Sequence, residues 1–175
     1  MTQETDVIRQ ILEGDTESFR LLVSRYEKPV VRMIRNITNN IESYEDVAQD
    51  VFFTAYRKLA SFDPARSSFS TWLFTIAKNK SLNMLKKRRT VSMSELPEKA
   101  DSRNPSDRVA QQEFFDKLDR QLQALPSRQR RALVLAEFEK LPYEQIAQIE
   151  GAKVGTIKSR INRAKAKLRS ALSNL

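Results

Sequence analysis

The sequence predicts an all-α protein: two small helical domains joined by a flexible linker, the second containing a helix-turn-helix. Three observations carry this. Apolar residues recur at steps of three and four through almost every segment, and never at the step of two that a half-buried strand requires. The spacing lapses once, over Thr90 to Asp107, where TVSMSELPEKADSRNPSD holds two prolines, several serines and mixed charge without period. Three glycines in 175 residues, no long apolar run and 30% charged side chains complete the pattern of a soluble helical chain. The domains are therefore set at residues 1–90 and 109–175, with 91–108 as the linker.

The first helix is predicted over Thr5 to Glu13, ended by Gly14 as a C-terminal cap. Asp15-Thr16-Glu17-Ser18 then offers an N-cap and an acidic first turn for a helix through Phe19, Leu22, Val23 and Tyr26. Pro29 suits the first turn of a further helix, where its missing N–H is not needed; Val30, Val31, Ile34 and Ile37 follow, and Asn39-Asn40 ends it. Ser43 opens SYEDVAQDVFFTAYRKL, in which Val47, Val51, Ala55 and Leu59 repeat every four residues, a stripe widened by Ala48 and Phe52. Glu45, Asp46, Gln49 and Asp50 crowd its first two turns. Carboxylates there favour a helix N-terminus by a few tenths to about 1 kcal/mol each, so capping and partner docking both account for them.

After the polar loop Ser61 to Ser68, a long helix starts near Ser70. Leu73, Ile76, Ala77 and Met84 are its inner stripe, with Trp72 at the edge, and Thr75, Asn79, Asn83 and Lys86 form a polar strip beside it. It finishes in Lys86 to Arg89, four basic residues where capping needs fewer. Phe62, Phe69, Trp72 and Phe74 lie close to these charges. Rings beside positive charge suit single-stranded nucleic acid, whose bases stack while Lys and Arg follow phosphates; taken singly, Trp72 and Phe69 equally suit a core.

Beyond the linker, Val109 to Leu125 is helical through Phe114, Leu118 and Leu122. Pro126-Ser127 separates it from a helix over Arg128 to Glu139. The chain then runs YEQIAQIEGAKVGTIKSRINRAKAKLRSAL, two helices broken at Glu150-Gly151-Ala152. In the second, Val154, Ile157, Ile161, Ala164, Leu168 and Leu172 share one stripe, and Thr156, Ser159, Asn162 and Arg163 stand opposite, flanked by Lys158, Arg160, Lys165, Lys167 and Arg169. A short helix, a glycine turn and a helix with a polar-basic outer face make a helix-turn-helix, whose second helix enters the DNA major groove. A helical hairpin with a solvated charged face has the same pattern.

Charge and composition bound the function. Net charge is −2 over residues 1–60, +6 over 61–90, −2 over 91–125 and +7 over 126–175. Two basic blocks offer two places for a polyanion. A membrane surface fits less well, because the basic helices bury plain aliphatic stripes and expose no Trp or Phe face. With no Cys and no His there are no disulfides or thiolate metal sites, and neither the usual general base nor the commonest metal ligand. No cofactor or metal site is expected, no secretion signal stands at the N-terminus, and enzyme readings are penalised.

In this order, EDVAQDVFFTAYRKL, FSTWLFTIAKNKSLNMLKKRR, ALPSRQRRALVLAEFEKLPYEQIA and VGTIKSRINRAKAKLR resemble the bacterial extracytoplasmic-function sigma factors, in their minimal two-domain form. The most specific strings are D-x-x-Q-D-V-F-x-x-A-Y, F-S-T-W-L-x-x-I-A-x-N and V-G-T-I-K-S-R-x-x-R-A. The resemblance implies a subunit that binds core RNA polymerase and directs it to promoter DNA, and is not itself an enzyme. It implies polymerase contacts at Asp46, Gln49, Asp50, Phe52 and Phe53. It implies a melted minus-ten element held by the loop before Ser70 and by Trp72, Lys78, Asn79, Asn83, Lys86 and Arg88. It implies that Thr156, Lys158, Ser159, Asn162 and Arg163 read the duplex minus-thirty-five element, and that Arg128, Arg130 and Arg131 hold phosphates or lie near the polymerase flap. Family members are often restrained by an anti-sigma factor, commonly membrane-tethered, so the implied location is cytoplasmic, at the inner membrane while restrained, without membrane insertion. A stand-alone helix-turn-helix regulator is the alternative, and it leaves the first domain's acidic and basic-aromatic helices idle. A carboxylate metal nuclease has no phosphate loop to stand on.

Overall fold

The computed structural model of the protein describes residues 2–39, 44–91 and 109–172. They form eight α-helices, with no strand among them: α1 (Thr2–Leu12), α2 (Phe19–Thr38), α3 (Tyr44–Arg57), α4 (Phe69–Val91), α5 (Val109–Ala124), α6 (Ser127–Glu137), α7 (Tyr143–Glu150) and α8 (Val154–Leu172). Single 3₁₀ turns at Thr16–Ser18 and Leu59–Ser61 lead out of α1 and α3. The expected helix start at Ser43 and the linker residues 92–108 lie outside the described residues.

The buried residues fall on the stripes that the spacing predicts. In the first bundle, α2 packs against both α3 and α4, and Val30, Ile34, Val51, Ala55, Leu73 and Ala77 are wholly removed from water. In the second, α8 lies across α6 and α7 around Leu135, Ile146, Ile149, Ile157 and Ile161. Burying one such aliphatic side chain contributes about 1.5–3 kcal/mol, so these stripes decide where each helix lies.

One expectation is corrected. Pro29 does not begin a new helix; it sits inside α2, which runs unbroken from Phe19 to Thr38. An interior proline costs about 3 kcal/mol through its lost hydrogen bond and its ring. The stripe crosses it without interruption, with Leu22 on one side and Val30, Met33, Ile34 and Ile37 on the other, all buried. Continuous core burial outweighs the local break. The helix ends at Asn39, whose left-handed φ of 58° returns its N–H to the Arg35 carbonyl.

The two bundles also touch each other, α2 against α6 and α4 against α7. Among the described residues, no helix is long and apolar enough to cross a membrane.

Candidate nucleic-acid and partner interfaces

The helix-turn-helix is built by a glycine and a buried carboxylate. Gly151 ends α7 at φ +63°, and the N–H groups of Gly151 and Ala152 return to the carbonyls of Gln148 and Ala147, at 3.3 and 3.0 Å. That is the two-bond left-handed cap that satisfies a helix's last carbonyls. A Cβ at Gly151 would meet nothing within 4 Å, so only the backbone conformation opposes a side chain there. Gly151→Ala is expected to destabilise the protein by about 1–2 kcal/mol, a cost visible as a lower thermal unfolding midpoint.

Glu150, the last residue of α7, has a side chain only 2% exposed. Its carboxylate accepts from Arg131 Nε and Nη2, each at 2.8 Å, and lies 3.5 Å from Arg160 Nη1. One acid thus fixes α6, α7 and α8 together. This corrects the expectation for Arg130 and Arg131 as phosphate ligands. Arg131 is spent on Glu150. Arg130 is buried as well, donating to the carbonyl and side chain of Gln123 at 2.9 and 2.7 Å and to Asn39 Oδ1. Arg128 remains exposed.

Pinned in this way, α8 presents the expected face. Ile157, Ile161 and Ala164 are fully buried, while Thr156, Lys158, Asn162 and Arg163 are exposed and Ser159 is half-buried at the edge. The four exposed side chains are an amide, a hydroxyl and two cations on one side of a rigid helix. That set matches base edges and phosphates in a major groove.

On α4, Asn79, Asn83, Lys86 and Arg88 are exposed, and Trp72 and Lys78 are half-buried. The aromatic group is less available than its sequence suggests. Phe69 and Phe74 are core residues, and Phe62, Phe69 and Trp72 lean on one another with centroids 5.5–5.7 Å apart. Trp72 and Phe62 still keep part of their surface beside the loop. Lys78 is engaged: its ammonium donates to the Ile149 carbonyl at the end of α7. Burial pushes it below its usual pKa, the Glu150 carboxylate opposes this, and Arg131 reinforces it.

On α3, Asp46, Gln49, Asp50 and Phe53 are exposed, and Phe53 keeps 60% of its surface in water. Phe52 instead turns inward and is buried, since it belongs to the stripe of Ala48 and Ala55. Asp50 is held by Lys80 of α4 at 2.8 Å. Between α2 and α3 runs an open groove of about 1190 Å³, with Phe19, Val23, Tyr44, Phe52, Phe53 and Tyr56 among its lining. Glu17, Glu27 and Glu45 also line it, together with Arg20 and Lys28. A partner helix with an apolar stripe and charged flanks suits an apolar trough whose polar lining is of mixed sign. The sequence reading did not find Phe19 and Tyr56, whose rings meet edge-on at 5.1 Å across the trough.

A fourth feature was not legible in sequence: the contact between the bundles. Arg32 of α2 donates to Glu139, just beyond α6, at 2.7 Å, and its guanidinium lies 5.7 Å from the Phe138 ring centroid. Gln145 of α7 accepts from Thr71 Oγ1 at 3.1 Å and from Ser68 Oγ at 3.4 Å. The Glu139 carboxyl is pushed above its usual pKa by burial, against the pull of Arg32.

The chain matches the family description Sigma-70 region 2 over residues 22–91 and Sigma-70, region 4 over residues 115–168. It is 34% identical to the RNA polymerase sigma-H factor of Pseudomonas aeruginosa, across 100% of this chain and 97% of that one. It is 30% identical to the ECF RNA polymerase sigma factor SigW of Bacillus subtilis, across 96% of each. Its structure is similar to the sigma factor RpoE of Bartonella quintana, solved in complex with the anti-sigma factor NepR. The TM-score is 0.77 at 25% identity, covering 90% of this chain and 98% of that one. Two helical bundles with a helix-turn-helix in the second, matched by both regions, define a sigma-70 family protein. Within that family the chain belongs to the extracytoplasmic-function group: it is an RNA polymerase sigma factor.

Proposed function

We propose that this sigma factor divides promoter recognition between α8 and α4 and docks on core polymerase through α3 and the groove beside it. The observation that carries the reading is the two-sidedness of α8. The centre of its apolar stripe, Ile157, Ile161 and Ala164, is wholly buried, so Thr156, Lys158, Asn162 and Arg163 are held outward. Thr156, Lys158, Ser159, Asn162 and Arg163 read the minus-thirty-five duplex. Arg and Lys suit guanine edges or phosphates, and Asn suits adenine. Trp72, Lys78, Asn79, Asn83, Lys86 and Arg88 handle the melted minus-ten strand. Flipping a base out of the stack costs a few kcal/mol, which stacking and phosphate contacts offset. Asp46, Gln49, Asp50 and Phe53 meet the polymerase directly, while Phe52 supports the floor of the groove.

The protein supplies specificity, and the polymerase supplies the chemistry. It works in the cytoplasm, for a stress or envelope response. An anti-sigma factor is its restraining partner, as NepR is the partner of the similar Bartonella protein. Residues 1–90 and 109–175 act as separate reading heads joined by 91–108. Arg163→Ala is expected to weaken transcription from a promoter with an intact minus-thirty-five element by about 5- to 150-fold, equivalent to about 1–3 kcal/mol. The unfolding midpoint should stay unchanged, because the side chain is exposed on the face opposite the buried stripe. Equal run-off transcription from that promoter by variant and parent would remove Arg163 from the reading face.

A further inference from the structure

We propose that Tyr26 of α2 is a positioning residue for the minus-ten reader: its hydroxyl, bonded to Glu4 of α1, fixes the ring on which Phe69, Phe62 and Trp72 lean. Helix α1 thereby braces the loop that takes the melted strand. The ring placement follows from contacts within the chain. Its use in promoter opening rests on the function proposed above.

The contacts run without a gap from α1 to the loop. Tyr26 Oη donates to Glu4 Oε1, and Arg25 Nη1 holds the same carboxylate oxygen at 3.2 Å. The Tyr26 ring meets Phe69 edge-on, with centroids 5.5 Å apart. Phe69, only 3% exposed, in turn meets Phe62 edge-on at 5.6 Å and Trp72 at 5.7 Å. Phe62 and Trp72 are half-buried at the two ends of the loop, one opening it and the other in the first turn of α4. A second contact brings α1 to the same place. It packs on the 3₁₀ turn Leu59–Ser61, immediately before Phe62, and buries Ile8 and Ile11. Helix α1 lies ahead of residues 22–91, which match region 2, so that match gives it no task.

The hydroxyl decides where the ring can go. Edge-on ring pairs attract weakly and tolerate a range of tilts, so four rings alone do not set one geometry. Oη lies on the axis about which a tyrosine ring flips. A bond there leaves flipping free but stops the whole ring from swinging about its first torsion. Burial first, and then Glu4, push the phenol above its usual pKa, against Arg25 and Ser70. It therefore keeps its proton at neutral pH and remains a donor to Glu4.

Rings set in advance lower the cost of opening the duplex. A base leaving the stack meets Phe62 and Trp72 already in place, so none of its binding is spent on ordering them. Without the brace, every opening event must first order the rings, and promoter opening slows. Polymerase docking should not follow. The groove beside α3 is lined from α2 by Phe19, Arg20, Val23, Glu27 and Val31, a different set from Tyr26.

Trp72 is the only tryptophan in the chain, so its fluorescence reports the rings directly. Tyr26→Phe keeps the ring and removes the bond, while Arg25 still partners Glu4 and no charge is stranded. Acrylamide quenching of Trp72 in the full chain should rise in Tyr26→Phe and in Glu4→Leu. The double variant should go no further than either single, and Glu4→Gln, whose amide oxygen still accepts, should stay near the parent. The same proteins are then joined to bacterial core polymerase on a promoter that the parent transcribes. Permanganate reactivity of the minus-ten thymines should appear about tenfold more slowly in Tyr26→Phe and Glu4→Leu, the order set by one hydrogen bond to a charged acceptor. Affinity for the polymerase should match the parent's. A bond of merely structural use would lower the unfolding midpoint and leave Trp72 alone, so parental quenching in both variants overturns the positioning. Disturbed quenching with opening as fast as the parent's overturns the use of these rings at minus ten. That result counts against the role assigned to α4 while leaving the brace standing.

Discussion

Glu150→Ala unfolds the second bundle, or brings it to the edge of unfolding, at a cost of about 3–5 kcal/mol. The magnitude follows from the burial of the site. The carboxylate is 2% exposed and shared by Arg131, itself 7% exposed, and Arg160, at 18%. Removing the acid leaves two guanidinium groups facing each other across a nearly dry junction, with Lys78 of α4 close enough to feel the change. Small domains hold only about 5–15 kcal/mol in total, so the second bundle has little margin for this loss. Arg131→Ala should cost less, because Arg160 remains to neutralise Glu150. Urea unfolding followed by circular dichroism gives the comparison. A Glu150→Ala midpoint close to that of the parent would mean that the three-helix junction is held by its apolar residues alone.

Phe53→Ala is expected to weaken binding to core polymerase by about 30-fold, the effect of losing one interface anchor worth some 2 kcal/mol. Phe53 is a large ring left 60% exposed in the lining of an apolar groove, with the Arg57 guanidinium 5.7 Å from its centroid. Folding gains little from such a ring, so the thermal midpoint should hardly move while affinity falls. Asp50 is a less clean probe of the same face. Its bond to Lys80 ties α3 to α4, and a lysine there would repel α4 as well as any partner. Affinity of Phe53→Ala for core polymerase equal to that of the parent would return the acidic face of α3 to helix capping.

Much of the fold was legible because helical periodicity reports burial directly. Val154, Ile157, Ile161, Ala164 and Leu168 follow from spacing, and so does the outward face of Thr156, Asn162 and Arg163. The failures have local causes. Pro29 carries a breaker signal that the longer stripe of α2 overrides. Phe52 and Phe53 are adjacent; periodicity already sets Phe52 beside Ala48 and Ala55, at steps of four and three, and only the family resemblance made both rings partner contacts. Arg130 and Arg131 look like surface charge in a basic block; only tertiary structure brings Glu150, nineteen residues further on, against Arg131. The seam between the bundles was invisible for the same reason, since Arg32 and Glu139 are 107 positions apart and neither breaks its helix pattern. Polar residues that pair across a fold leave no period behind.

Two weak reading heads act through the polymerase that spaces them. Much of the affinity is then borrowed, and the isolated protein should hold duplex promoter DNA weakly. Run-off transcription with purified bacterial core polymerase, this protein and a genomic promoter library tests it most directly. The account predicts discrete transcripts starting downstream of one shared two-part sequence, absent without the protein. A protein that binds duplex DNA tightly on its own, ignores core polymerase and yields no specific transcripts would contradict it.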